Sequence, residues 1–309
     1  MRNSVRVWLA VFVLASLSSP AARAQVSAAE QGQTEAARLE LILARVGERV
    51  EQYLGGMFSL SFKEVLRREV LKEDLTPKGK SKEYVFDNVV LREQRAGDGR
   101  EFYGRALRRL RTVDGKPVKP SKQKEELSKC GAPRASYADP LTFLLPKLQA
   151  QQVFTYEAEE VLRGRRVHRL GHVRREPVKP GTRSEDGCLY AWGEYKGTVW
   201  VDAENFDVLQ TSTRLAGEFD FESPPLFTAG FARFGPKRKM RFERSEHTTR
   251  FSRVRFREPE QELLLPESSE TLNVIRNGRE PRVRHTQSFE DYRRFVSDVK
   301  IIEDDEPEN

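Results

Sequence analysis

Four histidines, two cysteines and scattered carboxylates are the side chains of this 309-residue chain that could bind a metal, attack an electrophile or move a proton. His168 and His172 stand four apart, a spacing that suits zinc on a helix. The run Val167 to Val173 instead carries β-favouring residues after a turn, and on a strand four residues separate Cα atoms by about 13 Å, at about 3.3 Å per residue. The pair therefore reads as strand histidines, with no metal site, and His247 and His285 stand alone. The motifs of nucleophilic and metal-assisted hydrolysis, GxSxG, SxxK and HExxH, do not occur. Asp202, Glu204 and Asp207 cluster around a turn, where side-chain to backbone bonding explains them without acid–base work. The residues point away from an enzyme, name no catalytic group and call for no cofactor.

The two cysteines, Cys130 and Cys188, belong to no CxxC and to no nucleophile motif with a nearby histidine. In an oxidising compartment they are expected to form one disulfide, with a catalytic thiol as the alternative. That compartment follows from the first residues. Arg2 and Arg6, the apolar run Val7 to Leu17 and the small-residue site Ala22-Arg23-Ala24 make an export signal over 1–24, cleaved near Ala24/Gln25. The apolar run is shorter than the roughly 18 residues that cross a bilayer as a helix, and no later run is longer. The expected product is a periplasmic or secreted protein with no transmembrane segment. Removing the three signal arginines leaves a net charge of +4. Export also makes nucleic acid a poor partner despite the basic balance.

The most unusual stretch is 236–257, where Lys237, Arg238, Lys239, Arg241, Arg244, Arg250, Arg253, Arg255 and Arg257 are accompanied only by Glu243 and Glu246. Strand alternation puts Arg253, Arg255 and Arg257 on one face and Val254 and Phe256 on the other. Such a face suits anionic partners, including peripheral contact with an anionic membrane. The plainer reading is a solvated face paired to acids such as Glu218, Glu222 or Glu258. Pro224-Pro225-Leu226-Phe227 with Phe231 and Phe234 forms an apolar loop, either a lip over a cavity or part of the core. Phe227, Phe231, Phe234, Arg253, Arg255 and Arg257 are the candidate ligand-binding residues.

The elements that must position these groups begin with a helix. From Thr34, a candidate cap, Leu39, Ile42, Leu43, Val46, Val50, Tyr53 and Leu54 recur at helical spacing, and Gly55 and Gly56 are expected to end the helix in the left-handed conformation. About eleven segments of β-pattern follow, with Asp114-Gly115, Arg163-Gly164-Arg165 and Asn277-Gly278 as hairpin turns. The expected fold is mainly β (α+β): a strongly curved antiparallel sheet or open half-barrel with an N-terminal amphipathic helix and short helical insertions. Residues 25–33 are expected to be a flexible N-terminus, 34–302 a single domain with insertions at about 119–149 and 175–193, and 303–309 a disordered acidic tail. In the first insertion Asp139-Pro140 starts one apolar turn that Pro146 stops.

The helix Leu39 to Leu54 followed by Phe58 to Lys72, and the hairpin Gly197-Thr198-Val199-Trp200-Val201-Asp202-Ala203-Glu204-Asn205-Phe206-Asp207-Val208-Leu209, resemble the lipoprotein carriers of the bacterial envelope, the Lol carriers and their relatives. That resemblance implies an open half-barrel with helices on its concave side and an apolar concavity that holds a lipid, an acyl chain or a lipoprotein. The alternative is an envelope scaffold or stress-sensor subunit that binds another protein and has its concavity filled by its own side chains. The charged insertions and Arg-rich strands depart from the small carriers, and no functional residue carries over by position.

Overall fold

The computed structural model describes residues 20–57, 59–93, 103–128, 140–185, 188–222, 239–257, 260–277 and 281–295. The chain forms two compact units, 1–41 and 42–309. The described part of the first is the helical stretch from Pro20 to Leu41. Helix α1 runs Pro20–Gly56, so it starts ahead of Thr34 and takes in residues 25–33, expected as a flexible lead. No described helix is long and apolar enough to cross a membrane.

In the second unit, α1 buries Ile42, Val46, Val50 and Tyr53. These lie on one stripe of the helix because their spacings of three and four match its period. Burying each such side chain contributes about 1.5–3 kcal/mol, enough to hold a helix that would be marginal alone. Among the described glycines, neither Gly55 nor Gly56 is left-handed. The reason for Gly56 is proximity instead: a Cβ there would come within 2.7 Å of Leu263 Cδ2.

The strands follow as β1 (Leu60–Val70), β2 (Lys82–Glu93), β3 (Tyr103–Val113), β4 (Lys116–Pro117), β5 (Gln152–Leu162), β6 (Arg165–Arg174), β7 (Gly181–Glu185), β8 (Cys188–Trp192), β9 (Tyr195–Asp202), β10 (Val208–Leu215), β11 (Phe219–Glu222), β12 (Lys239–Arg257), β13 (Glu260–Arg276) and β14 (Arg282–Arg294). Twelve form one antiparallel sheet in the order β4-β3-β2-β1-β14-β13-β12-β10-β9-β6-β5, with β11 also on β12. The terminal strands β4 and β5 do not pair, so the sheet is open, as expected. β7 and β8 form a separate hairpin within the 175–193 insertion. The short strands β4, β7, β8 and β11 were not distinguished in the sequence. The Asp114-Gly115 and Arg163-Gly164 turns have positive φ at both residues, as their type requires. Asn277 does too, whereas Gly278 lies outside the described residues.

Period-two burial is clearest in β1, where Leu60, Phe62, Glu64 and Leu66 are buried. Leu66 packs with Tyr84, Phe86 and Leu110, while Leu71 packs with Leu272 and Val274. The buried Glu64 accepts from Arg108, Asn88 and Gln287, which come from β3, β2 and β14. Helix α2 (Pro120–Ser128) touches the sheet through Lys82–Glu126 at 3.6 Å. The apolar turn expected after Pro140 is a 3-10 turn, Thr142–Leu144, and it stops at Leu145, whose ψ of 140° is the extended conformation favoured before a proline. Pro146 begins α3 (Pro146–Gln149), where its missing N–H costs nothing.

Candidate functional site

The 142–149 insertion is tied down by one side chain. Gln149 Nε2 donates to Leu43 O at 2.9 Å and Leu144 O at 2.7 Å, which fixes α3 between α1 and the preceding turn. The approach is close, since a Cβ on Gly47 would stand 2.9 Å from Pro146 Cγ. Phe143 is thereby laid on the sheet. Its ring stacks on His172 of β6, with centroids 4.3 Å apart, and on Phe154 of β5 at 6.4 Å.

Beside this stack opens a cavity of about 580 Å³, lined by Phe143, Leu148, Val178, Trp192 and Tyr195, with His172, Thr142, Gln151, Gln152, Arg174 and Gly193. Trp192 ends β8, and a Cβ on Gly181 of β7 would come within 2.6 Å of its ring. Tyr195 begins β9 and donates to Ser245 Oγ at 3.2 Å, which holds the phenol in place. His172 Nδ1 meets Gln152 Oε1 at 3.4 Å, while its Nε2 is buried over Gly197 without a hydrogen-bond partner. Burial pushes the His172 pKa down to about 4, so the ring is neutral at ordinary pH. A neutral ring stacked on Phe143, with the Phe154 ring tilted beside it at 6.0 Å, serves as an apolar wall.

Two of the other histidines, His247 and His168, are accounted for by neighbouring side chains. His247 Nδ1 meets Thr271 Oγ1 at 2.8 Å and its Nε2 meets Thr249 Oγ1 at 3.0 Å, with burial lowering its pKa. His168 is buried beside Tyr156 and Glu159. Among the described residues no three His, Cys, Asp or Glu side chains converge as metal ligands.

The Asp202 carboxylate shapes the β9–β10 turn, as expected, whereas that of Asp207 is taken up by Arg253. Asp202 Oδ1 accepts from the backbone N–H of Glu204 and Asn205 at 3.0 Å each, which frees Phe206 to take φ 62°. The same turn holds the basic stretch. Arg253 donates through Nε to Asp207 Oδ2 at 2.8 Å and through Nη1 to Glu262 Oε2 at 2.6 Å. Its hydrogen bond holds the Glu262 carboxyl below the usual range. Arg255 is 77% exposed and only grazes Glu262 at 4.0 Å, and Arg257 is exposed. Arg241 forks onto Asp220 at 2.6 and 3.0 Å, and Arg244 onto Glu246 at 2.8 Å. Much of the basic face is thus paired to acids, with Glu218 among them at 3.6 Å from Arg241.

Phe227, Phe231 and Phe234 lie outside the described residues, as does Cys130. Cys188 opens β8, but its side chain is not described, so the expected disulfide is not placed. The sequence reading missed Phe143, Leu148, Trp192 and Tyr195. For Phe143 and Trp192 the signal was there as aromatic residues inside insertions otherwise marked by proline and charge.

No family model and no curated protein matches the chain. Among solved structures it is similar to a domain from Vibrio parahaemolyticus assigned to outer membrane lipoprotein sorting. That likeness has 11% identity over 84% of this chain and 93% of that one, with a TM-score of 0.41. It is also similar to a LolA-superfamily protein from Nitrosomonas europaea, with 12% identity over 82% and 94% and a TM-score of 0.34. A third likeness is to a chain of the MucA/MucB complex of Pseudomonas aeruginosa, with 10% identity over 82% and 99% and a TM-score of 0.24.

Proposed function

We propose that this chain is an exported binding protein that holds the apolar part of an envelope lipid or lipoprotein in the cavity between the 142–149 insertion and strands β6 and β9. The make-up of the cavity carries the reading. Its walls are mainly aromatic and aliphatic, a few polar side chains are among them, and its volume of about 580 Å³ falls within the range of small-molecule sites. The exposed Arg174 lies within reach of a charged headgroup. In this reading the ligand sits beside α1, because the seat of the helix is filled by Ile42, Val46, Val50 and Tyr53. Phe227, Phe231 and Phe234 are proposed as further apolar contacts, and Arg255 and Arg257 as contacts to an anionic membrane.

A second reading, an envelope scaffold that binds another protein, is favoured by strand β5. It is an eleven-residue edge of the sheet, and its Val153 and Val161 are exposed. Such an edge is a template for an added strand.

The test is to express the protein with its own signal, purify it from the periplasm without detergent and extract it for lipid mass spectrometry beside an unrelated exported control. Stoichiometric lipid in the wild type, lost in Leu148→Arg, is the expected result. Protein that stays empty after incubation with envelope lipids would contradict it and favour the scaffold.

A further inference from the structure

Strands β9 and β10 carry a second constellation, in a cavity that shares only His172 with the lining of the aromatic one. Ser212 is the ladder partner of Thr198, and Arg214 that of Lys196, in a stretch without a bulge. Side chains two residues apart on a strand share a face. The four therefore mark the corners of a rectangle about 5 Å across the strands and about 7 Å along them. All four line one open cavity of about 560 Å³. Thr198's other neighbour is Gly171 of β6, and the space over that glycine is taken by Glu157 Oε1 and Thr155 Oγ1, 2.5 and 2.7 Å from where a Cβ would stand.

The charges around this cavity are unevenly matched. Arg169 is paired with Glu157 at 2.9 Å and Glu160 at 2.8 Å. Glu246 lies opposite Arg214 across the next ladder, yet both its oxygens accept from Arg244. Lys196 and Arg214 are exposed, and neither has a carboxylate at ion-pair distance among the described residues. Like charges directly opposite on an antiparallel pair destabilise the sheet, so these two cations oppose folding unless an anion joins them.

We propose that Lys196, Arg214, Thr198 and Ser212 form a binding site for a phosphate-type oxyanion. The guanidinium fork and the ammonium neutralise the charge, and the two hydroxyls donate to the remaining oxygens. A tetrahedral anion uses all four corners, whereas a carboxylate has only two oxygens to share among them. A free phosphate and a lipid headgroup present the same chemistry.

The experiment is calorimetric titration of the full protein, at fixed ionic strength, with inorganic phosphate in one arm and short-chain phosphatidic acid below its micelle concentration in the other. One site is expected in at least one arm, with affinity at least about tenfold weaker in the Lys196→Ala/Arg214→Ala variant, whose two changes are at exposed positions. Tighter binding of the lipid would assign the site to headgroups, and tighter binding of phosphate to the free anion. In the inorganic phosphate arm Leu148→Arg, in the aromatic cavity, is expected to leave the affinity unchanged, which separates the two sites. Heats no larger than those of matched chloride, or a double variant that titrates like the wild type, would overturn the proposal. Without ligand, Lys196→Glu is expected to raise Tm by removing the like-charge pair, and an unchanged or lower Tm would also count against it.

Discussion

Arg108 donates to both carboxylate oxygens of Glu64, at 2.9 and 2.5 Å, with both side chains buried and the guanidinium 3.5 Å above the Phe86 ring. With Asn88 and Gln287, four neighbouring strands, β1, β2, β3 and β14, contribute to this network, so it fixes their register as well as their charge. Removing one partner leaves the other ionised in a dry place. Arg108→Met is expected to cost about 3–5 kcal/mol in denaturant unfolding, and adding Glu64→Gln to recover a large part of it. A single-variant loss within the error of extrapolation would show that the pair is solvated.

Acid should weaken the fold through two histidines. In the unfolded chain His172 binds its proton near 6.5, but in the folded chain only near about 4, so between these values the unfolded state holds the extra proton. Stability is full above pH 6.5 and falls as pH drops toward about 4, by up to about 3 kcal/mol from this residue. His247, also shifted down by burial, adds in the same direction. His172→Phe keeps the stacking volume, so between pH 6 and 5 its unfolding free energy should vary with pH less steeply than that of the wild type. Parallel curves for the two proteins would contradict this.

Gly197 faces His172 so closely that a Cβ would stand 2.0 Å from its Nε2. The ring cannot step aside without leaving Phe143, so Gly197→Ala is expected to cost about 1–3 kcal/mol and to distort the aromatic cavity. Thermal unfolding together with ligand binding checks both effects. A variant unchanged in both would mean that the ring moves freely.

The basic stretch divides into held and free arginines. Arg253→Ala strips the buried Asp207 of its fork and should cost about 1–3 kcal/mol, while Arg255→Ala should stay within about 0.5 kcal/mol. Equal effects on Tm would erase the distinction.

The helix and the sheet were legible because Val46, Val50 and Tyr53 recur at helical spacing and Leu60, Phe62 and Leu66 alternate. Local chemistry also announced the turns at Asp114-Gly115 and Arg163-Gly164, and the structural duty of Asp202. The aromatic cavity was not legible, since Phe143, His172 and Trp192 come from separate parts of the chain and meet only through Gln149's tie and the β6–β9 ladder. The partners of the basic stretch were hidden for a similar reason. Asp207 reaches Arg253 because the β9–β10 turn folds toward β12, a placement that no spacing within 236–257 encodes.

The most direct measurement is photo-crosslinking of the purified protein with a diazirine fatty acid, followed by peptide mapping. Adducts concentrated on the peptides that carry Phe143 to Leu148 and Trp192 to Tyr195, and suppressed in Leu148→Arg, are the predicted result. Adducts spread over the exposed surface, or mapped to β12 with those two peptides untouched, would contradict the assignment of the cavity as the ligand site.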